Sequence, residues 1–526
     1  MSEKGKISRA TGILGAATTL SRVAGLVRDM LIATLFGAGF GTDAFFMAFT
    51  IPNLLRRFFA EGAMTAAFVP TFSAVYHQQG RQEAQRLLNI CWTLLLIVML
   101  VVTLCGVVGS PLIVRGIGFG YAGVEGKLAL TDLLNRIMFP YIFFVSLLAL
   151  VTGVLNVLGH YFVPAVSTVL LNVAMIVTAL LGYSYFEVPI TALALGVLIG
   201  GVLQFVIQIP VLHRHGMRLH VDGNFTDPMV RRIARLMLPG IAGVAIYQIN
   251  VIVTRLLASF LPEGSVSYLY YGQRLFEFPQ GIFVVSLAQA VLPTLSRQVS
   301  ENDTVGVRES LRFALALILV VTVPAALGLM LCATPIYSLF FMSGAFDIEA
   351  VHQTSMALIA YAPGLLFVGM SRVIVPLFYA RQDTRTPVWI SFWTLLVNAG
   401  LGLLLMGPLG HLGLAWALTL SAFFNALLLM LVAWRRFGVF ELQGLLWTAL
   451  KMLPALALMA LVVTQILQMG SWEVMSGRVE KGVLLAASVV AGGGTYLLLC
   501  LLLRIPEATY FAHRLKLRLM RRGGGA

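Results

Sequence analysis

Apolar runs of helix length recur along the whole chain, as in Thr93–Val108, Ile142–Leu158 and Val483–Leu503. They do not alternate with polar residues, so they do not read as barrel strands. Of 526 residues, 59% are hydrophobic and only 11% charged, against roughly a quarter charged in soluble chains. No soluble core hides so much apolar surface, and the solvent has to be lipid. In lipid, backbone N–H and C=O groups must be satisfied within the chain, which leaves helices or closed barrels. The run lengths select helices, and the expected fold is an all-α polytopic membrane protein.

Hydropathy windows of about 19 residues give about 14 transmembrane helices. Their centres lie near Gly25, Phe49, Leu96, Phe144, Ala174, Gly196, Gly243, Phe283, Leu317, Leu366, Leu396, Leu418, Leu458 and Ser488. The net charge of +14 would suggest nucleic acid in a soluble protein. Here the cations lie mostly between apolar segments, so they report orientation and no nucleic-acid partner is expected. Alternate connections carry Arg81 and Arg86, Arg214 to Arg235, Arg297 to Arg312, Arg381 and Arg385, and Arg435 and Arg436. The positive-inside rule then places both termini in the cytoplasm, with a basic tail from Arg514 to Arg522 set to touch anionic lipid. Met1–Gly12 has no small-residue cleavage site after a short apolar core and reads as retained. Cys91, Cys105, Cys332 and Cys500 stand singly, with no metal or disulfide spacing.

The chain also repeats itself. Pro70-Thr71-Phe72-Ser73 matches Pro293-Thr294-Leu295-Ser296 at an offset of 293 − 70 = 223, and Pro140 with Pro363 and Pro164 with Pro387 keep the same offset. Ser110-Pro111 resembles Thr334-Pro335 one residue further on. Such a spacing holds about six helices, an even number, so the copies run in parallel. Parallel repeats are expected to face each other across a central cavity. The predicted organisation is an N-terminal lobe over residues 1–220, a C-terminal lobe over 221–440, and a C-terminal helix pair with the basic tail over 441–526.

Charges inside these spans are the functional signal, because an ionisable group at mid-bilayer costs about 2.5–3.5 kcal/mol on insertion scales. The first span carries Arg22, Arg28 and Asp29, with Arg22 and Asp29 seven apart on one helical face. The second carries Asp43, Asn53 after Pro52, Arg56, Arg57 and Glu61, and Arg57 with Glu61 can pair at i, i+4. The eighth repeats the design of charge followed by break, with Arg274 and Glu277 before Pro279, and Arg372 lies inside the tenth. Taken singly, each is equally well explained as a structural pair or as an arginine snorkelling to the headgroups. Together they favour one shared site. The planar fork of Arg matches phosphate oxygens bidentately, so the expected ligand is an anion of the phosphate or pyrophosphate type.

At these residues the chain resembles the MurJ/MviN family. The likeness is carried by Ser21-Arg22-Val23-Ala24-Gly25-Leu26-Val27-Arg28-Asp29, Thr42-Asp43-Ala44-Phe45-Phe46, Pro52-Asn53-Leu54-Leu55-Arg56-Arg57 and Phe59-Ala60-Glu61-Gly62-Ala63. Tyr270 to Pro279 and Phe378-Tyr379-Ala380-Arg381-Gln382-Asp383 continue it, over about Ser8 to Arg436. The resemblance implies 14 helices, two six-helix lobes and a last helix pair bordering a lipid-facing groove. It implies a lipid II flippase of the bacterial inner membrane, working by alternating access on a polyprenyl-pyrophosphate sugar–peptide. Arg22, Arg28, Arg56 and Arg274 fall on the family's required cavity cations and Asp43 on its acid near the outer gate. Asp29, Asn53, Glu61 and Glu277 complete the expected substrate site. No cofactor is implied. A coupling ion, sodium or proton, or the membrane potential is left open, as are contacts with other cell-wall synthesis proteins.

Two other classes compete. A drug or organic-cation antiporter of the same superfamily should present acids and aromatics to hold a cation, where this chain presents arginines. A membrane enzyme would need a catalytic carboxylate or metal pair, and no DxD or His-rich cluster stands in the chain. The group His213, His215 and His220 sits in a basic connector and reads as a solvated anchor before a metal site.

Overall fold

The computed structural model describes residues 3–58, 64–439, 441–475 and 477–509, and among these every long element is helical. In chain order they are α1 (Glu3–Phe36), α2 (Phe40–Arg56), α3 (Met64–Gln78), α4 (Arg81–Val108), α5 (Ser110–Ile117), α6 (Lys127–Met138), α7 (Tyr141–Val157), α8 (Phe162–Gly182), α9 (Ile190–Val206) and α10 (Gln208–Arg214). There follow α11 (Pro228–Ala258), α12 (Ser265–Pro279), α13 (Val285–Ser300), α14 (Thr304–Leu331), α15 (Ala333–Phe340), α16 (Ile348–Tyr361), α17 (Gly364–Ala380), α18 (Arg385–Leu409), α19 (His411–Phe437), α20 (Leu442–Leu467) and α21 (Arg478–Leu502). Among the described residues eleven helical segments are long and apolar enough to cross a membrane, and each holds one of the predicted span centres. The other three centres, Gly25, Phe49 and Gly243, fall in α1, α2 and α11. The eleven establish the polytopic all-α fold; a figure of fourteen rests on adding those three.

The internal repeat extends to helix boundaries. α14 starts 304 − 81 = 223 residues after α4, and α15, α17 and α18 start at the same offset from α5, α7 and α8. A left-handed turn is repeated too, at Gly159 (φ 77°) after α7 and at Gln382 (φ 59°) after α17. So is a break. The backbone winds as a π turn at 57–58 after α2, and again over Gln280–Val284 after α12. Such turns are often found at functional sites. The prolines seen in the sequence are therefore traces of a register that four helix starts, a left-handed turn and a π turn also keep.

The chain divides into two compact units, Met1–Ser267 and Tyr268–Ala526. This division is by contact and the repeat is by copy, so they cut the chain at different places. In the first unit the core gathers Phe68 and Phe72 of α3, Leu88 and Met99 of α4, and Leu150 and Val154 of α7. Gly106 of α4 lies so close to the Phe139 ring that a β-carbon there would stand 1.9 Å from it. Four side chains one turn apart on α4 also hold the extended connector that leaves α10. Arg81 Nη2 donates to the carbonyl of His215 at 2.8 Å. Gln85 accepts from Arg218 N at 2.9 Å, Asn89 from His220 N at 3.2 Å and Thr93 from Asp222 N at 2.9 Å. In the second copy, Arg308 and Arg312 occupy the positions of Gln85 and Asn89, and they meet Gly438 and Glu441 of the connector leaving α19.

In the second unit α20 and α21 pack against α14 through Met452, Ala455, Met459, Val463 and Tyr496. One polar contact explains part of this docking. Pro324 lies inside α14 and has no N–H, so the Val320 carbonyl one turn earlier loses its helical partner. Tyr496 Oη donates to that carbonyl at 2.9 Å from α21. The first copy has Val101 at the equivalent place, so the demand is particular to the second. Replacing Tyr496 by Phe should orphan a buried carbonyl and destabilise the fold by about 1–3 kcal/mol. Thermal unfolding of the purified protein in detergent would show this as a lowered midpoint; an unchanged midpoint would mean that the bond contributes nothing.

Candidate functional site

Asp43 is the most completely caged charge. It sits in the first turn of α2, 1% exposed. Its Oδ2 accepts from Lys127 Nζ at 2.9 Å and from Gly264 N at 2.8 Å. Its Oδ1 accepts from Ser267 N at 2.9 Å and from Ser267 Oγ at 2.7 Å. Gly264 and Ser267 flank the start of α12, where helix N–H groups lack internal acceptors and the helix dipole favours an anion. The carboxylate therefore caps α12 from a distance of more than two hundred residues in sequence. Lys127, the first residue of α6, is itself 2% exposed. Its ammonium also lies 4.5 Å from the centre of the Tyr121 ring and 5.7 Å from that of Phe40. Glu263 Oε1 accepts from Phe40 N at 2.6 Å beside this cluster.

The second constellation lies on α1. Arg28 and Asp29 are both buried, although neighbours in a helix usually point to different faces. The guanidinium folds back so that Nε and Nη2 donate to Asp29 Oδ1 at 3.0 and 2.6 Å. Its Nη1 donates to Asn172 Oδ1 at 3.0 Å, and Asn172 Nδ2 donates to the Ser21 carbonyl at 3.3 Å. An asparagine of α8 thus fastens both the charge and the backbone of α1. Arg22 is half-buried on the same helix.

At the far end of α2, Arg56 donates to Asn53 Oδ1 from Nε at 3.2 Å and from Nη2 at 3.0 Å. Both residues are half-buried, and the π turn begins at the next position. Glu61, the expected partner of Arg57, lies outside the described residues. In the second unit Arg274 Nη1 stands 3.6 Å from Glu277 Oε2, with the side chains 38% and 36% exposed. This is a loose ion pair, one turn before its own π turn. Arg372 is exposed on α17.

Other sequence signals take structural places. Asp383 begins the α18 turn and accepts from Thr386 and from Arg436, the latter at 3.0 Å. Burial alone would raise its carboxyl, but these donors prevail and hold it below the ordinary range. His213, His215 and His220 are exposed, and the His215 ring lies 5.0 Å from that of His160. Burial, and then the neighbouring His215, lower the His160 imidazole from its usual value. Among the described residues no group of three or more His, Cys, Asp or Glu is placed to hold a metal, and the four cysteines are free.

The sequence did not single out Lys127, Ser267 or Asn172. Lys127 read as an ordinary loop cation, and its burial against a residue 84 positions away leaves no local pattern. Asn172 is one amide in an apolar run. The buried pair on α1 predicts its own test. Asp29→Asn should leave the Arg28 charge uncompensated and cost about 3–5 kcal/mol. Asn172→Leu should cost about 1–3 kcal/mol. Melting of the two variants beside the parent checks the order; equal midpoints for Asp29→Asn and the parent would exclude a buried charge pair.

Comparison with known proteins gives one family. A family model described as "Lipid II flippase MurJ" matches residues 32–479. The chain is 37% identical over 503 residues to the probable lipid II flippase MurJ of Vibrio cholerae serotype O1, covering 94% of this chain and 95% of that protein. It is 40% identical over 427 residues to the probable lipid II flippase MurJ of Haemophilus influenzae, covering 78% and 83%. Among solved structures, a lipid II flippase MurJ in an inward closed conformation matches with a TM-score of 0.75 at 26% identity, over 92% of this chain and 97% of the other. An inward-facing multidrug resistance transporter of the MATE family matches with a TM-score of 0.68 at 14% identity, over 80% and 94%; it shares the fold.

Proposed function

The chain belongs to the MurJ family of lipid II flippases, and from that membership we propose how its own residues move the substrate. It is a multi-pass transporter of a bacterial inner membrane, and its substrate is lipid II. No covalent bond changes. The physical problem is the polar head, whose pyrophosphate has to pass a medium where each charge costs several kcal/mol. Arg22, Arg28, Arg56 and Arg274 are the cations that take it, with Asp29, Asn53, Glu61 and Glu277 keeping them placed between visits. Both termini lie in the cytoplasm, α1, α2 and α11 complete fourteen crossings, and the repeat halves 1–220 and 221–440 alternate access with 441–526 as an added pair.

The observation that carries the reading is the state of Arg274. Its side chain is 38% exposed and stands 3.6 Å from Glu277 Oε2, so its guanidinium is accessible to a phosphate oxygen, which its planar fork can bind bidentately. Arg56 is half-buried and donates to the neutral amide oxygen of Asn53, and a charged oxygen is a stronger acceptor for a guanidinium. Arg28 is held inside the fold by Asp29 and Asn172 and has to exchange those partners to reach substrate. Capture neutralises repulsion among the cations and permits the inner side to close. The outer end then opens at Asp43. A cation antiporter would need acids where these arginines stand, so the likeness to MATE transporters extends to scaffold and not to ligand.

Reconstitution into liposomes, with a labelled lipid II headgroup followed to the far leaflet, tests this directly. Arg56→Ala and Arg274→Ala each remove a charge-assisted contact of about 1.5–3 kcal/mol, so each should slow flipping about tenfold or more while inserting normally. Wild-type rates in both would overturn the assignment. Imposing sodium, proton or electrical gradients in the same vesicles separates the possible driving forces.

A further inference from the structure

We propose that Lys127 is a positioning residue for flipping: it supplies the countercharge that lets Asp43 cap α12, and the transport step depends on it. The proposal deepens the flippase reading and rests on it. Four observations carry it. Lys127 and Asp43 form a 2.9 Å ion pair with side chains 3% and 1% exposed. Asp43 spends its remaining acceptor capacity on Gly264 N, Ser267 N and Ser267 Oγ. Ser267 Oγ also stands 3.0 Å from Thr42 Oγ1, so the cage closes on the α2 side as well. Tyr121 and Phe40 then present ring faces to the ammonium, a cation–π setting that strengthens on desolvation.

The chemistry follows from burial. A carboxylate taken from water without a cation is unstable there, and removing one member of a buried pair leaves the other uncompensated. Three neutral donors orient Asp43, and Lys127 is the cation seen in direct contact with it. Of the other charged groups nearby, Arg255 Nη1 donates to the Val266 carbonyl at 3.1 Å, and Glu263 accepts from Phe40 N. If Asp43 is to release and recapture the first turn of α12 once per cycle, Lys127 has to hold the acid in place while those bonds are absent. An ammonium with rings on other sides can do this, since it keeps those contacts and the carboxylate when Gly264 and Ser267 withdraw.

The expectation is specific to turnover. The cations assigned to capture lie elsewhere on the helices, so losing Lys127 should lower the maximal flipping rate and spare half-saturation by lipid II. In the liposome assay Lys127→Met should reduce the maximal rate about tenfold or more, the measure of one broken buried pair. The half-saturating lipid II concentration should change by less than about twofold, as expected when uniform binding is untouched. Lys127→Arg, which keeps the charge, should retain at least about half of the parent rate, since Arg also pairs with carboxylates. Lys127→Gln, which keeps a polar atom without charge, is the second variant and should fail like Lys127→Met even where its melting midpoint matches the parent. The proposal is overturned if Lys127→Gln flips at the parent rate, or if Lys127→Arg is as slow as Lys127→Gln. It is also overturned if the half-saturating concentration rises in step with the loss of rate. A parent protein that moves no lipid II would sink the flippase reading itself, and this inference with it; a flipping parent with an equally active Lys127→Gln sinks this inference alone.

Discussion

A charge or a bare backbone group carried into hydrocarbon has to be answered by another group of the same protein, because lipid offers no hydrogen bonds. Three places in the described structure show how the demand is met. The Asp43 carboxylate is met by an ammonium, a hydroxyl and two backbone N–H groups. The Arg28 guanidinium is met by its neighbour Asp29 and by an amide from α8. The carbonyl freed by Pro324 is met by a phenol from α21. Apart from the Arg28–Asp29 pair, each of these contacts joins elements far apart in the chain, so answering the charge also decides which helices pack.

The two copies share a scaffold and differ in chemistry. The starts of α4, α5, α7 and α8 are repeated at one offset in α14, α15, α17 and α18, and the π turns and left-handed turns keep it too. The charges do not. At the offset of 223, Asp43 corresponds to Val266, Lys127 to Ala350, Arg28 to Val251 and Arg274 to Ile51. Backbone geometry can be duplicated because it depends on apolar patterning and breaks. On the proposed function a substrate with one pyrophosphate needs one set of cations, which accords with polar residues that are placed once.

That difference explains how much was legible beforehand. Hydropathy reports average surroundings over a turn or more, and it found the eleven segments at their predicted centres. Offset matches found the repeat because prolines mark breaks that both copies keep. Charges inside spans stood out at Arg28, Asp43 and Arg274 because any charge there is conspicuous. Their partners were hidden for a complementary reason. Asn172 and Ser267 are unremarkable residue types in membrane helices, and Lys127 sits where a loop cation is expected; only tertiary packing turns it inward. The Arg22–Asp29 face read from helical spacing was also incomplete, since Asp29 bonds the adjacent Arg28.

α2 gives these separate findings a mechanical connection. Asp43 lies in its first turn and Arg56 is its last residue, thirteen residues apart, or about 20 Å along the axis at 1.5 Å per residue. On the proposed mechanism the helix carries the gate acid at one end and a substrate cation at the other, and a π turn follows Arg56. On that mechanism an anion that draws Arg56 away from Asn53 pulls on the helix whose first turn holds Asp43 against α12, and the pull passes through Pro52, which lies between them. Lys127 keeps Asp43 placed as the bonds to Gly264 and Ser267 break and re-form, so the ion pair governs how readily the outer end turns over and not how tightly the pyrophosphate is held.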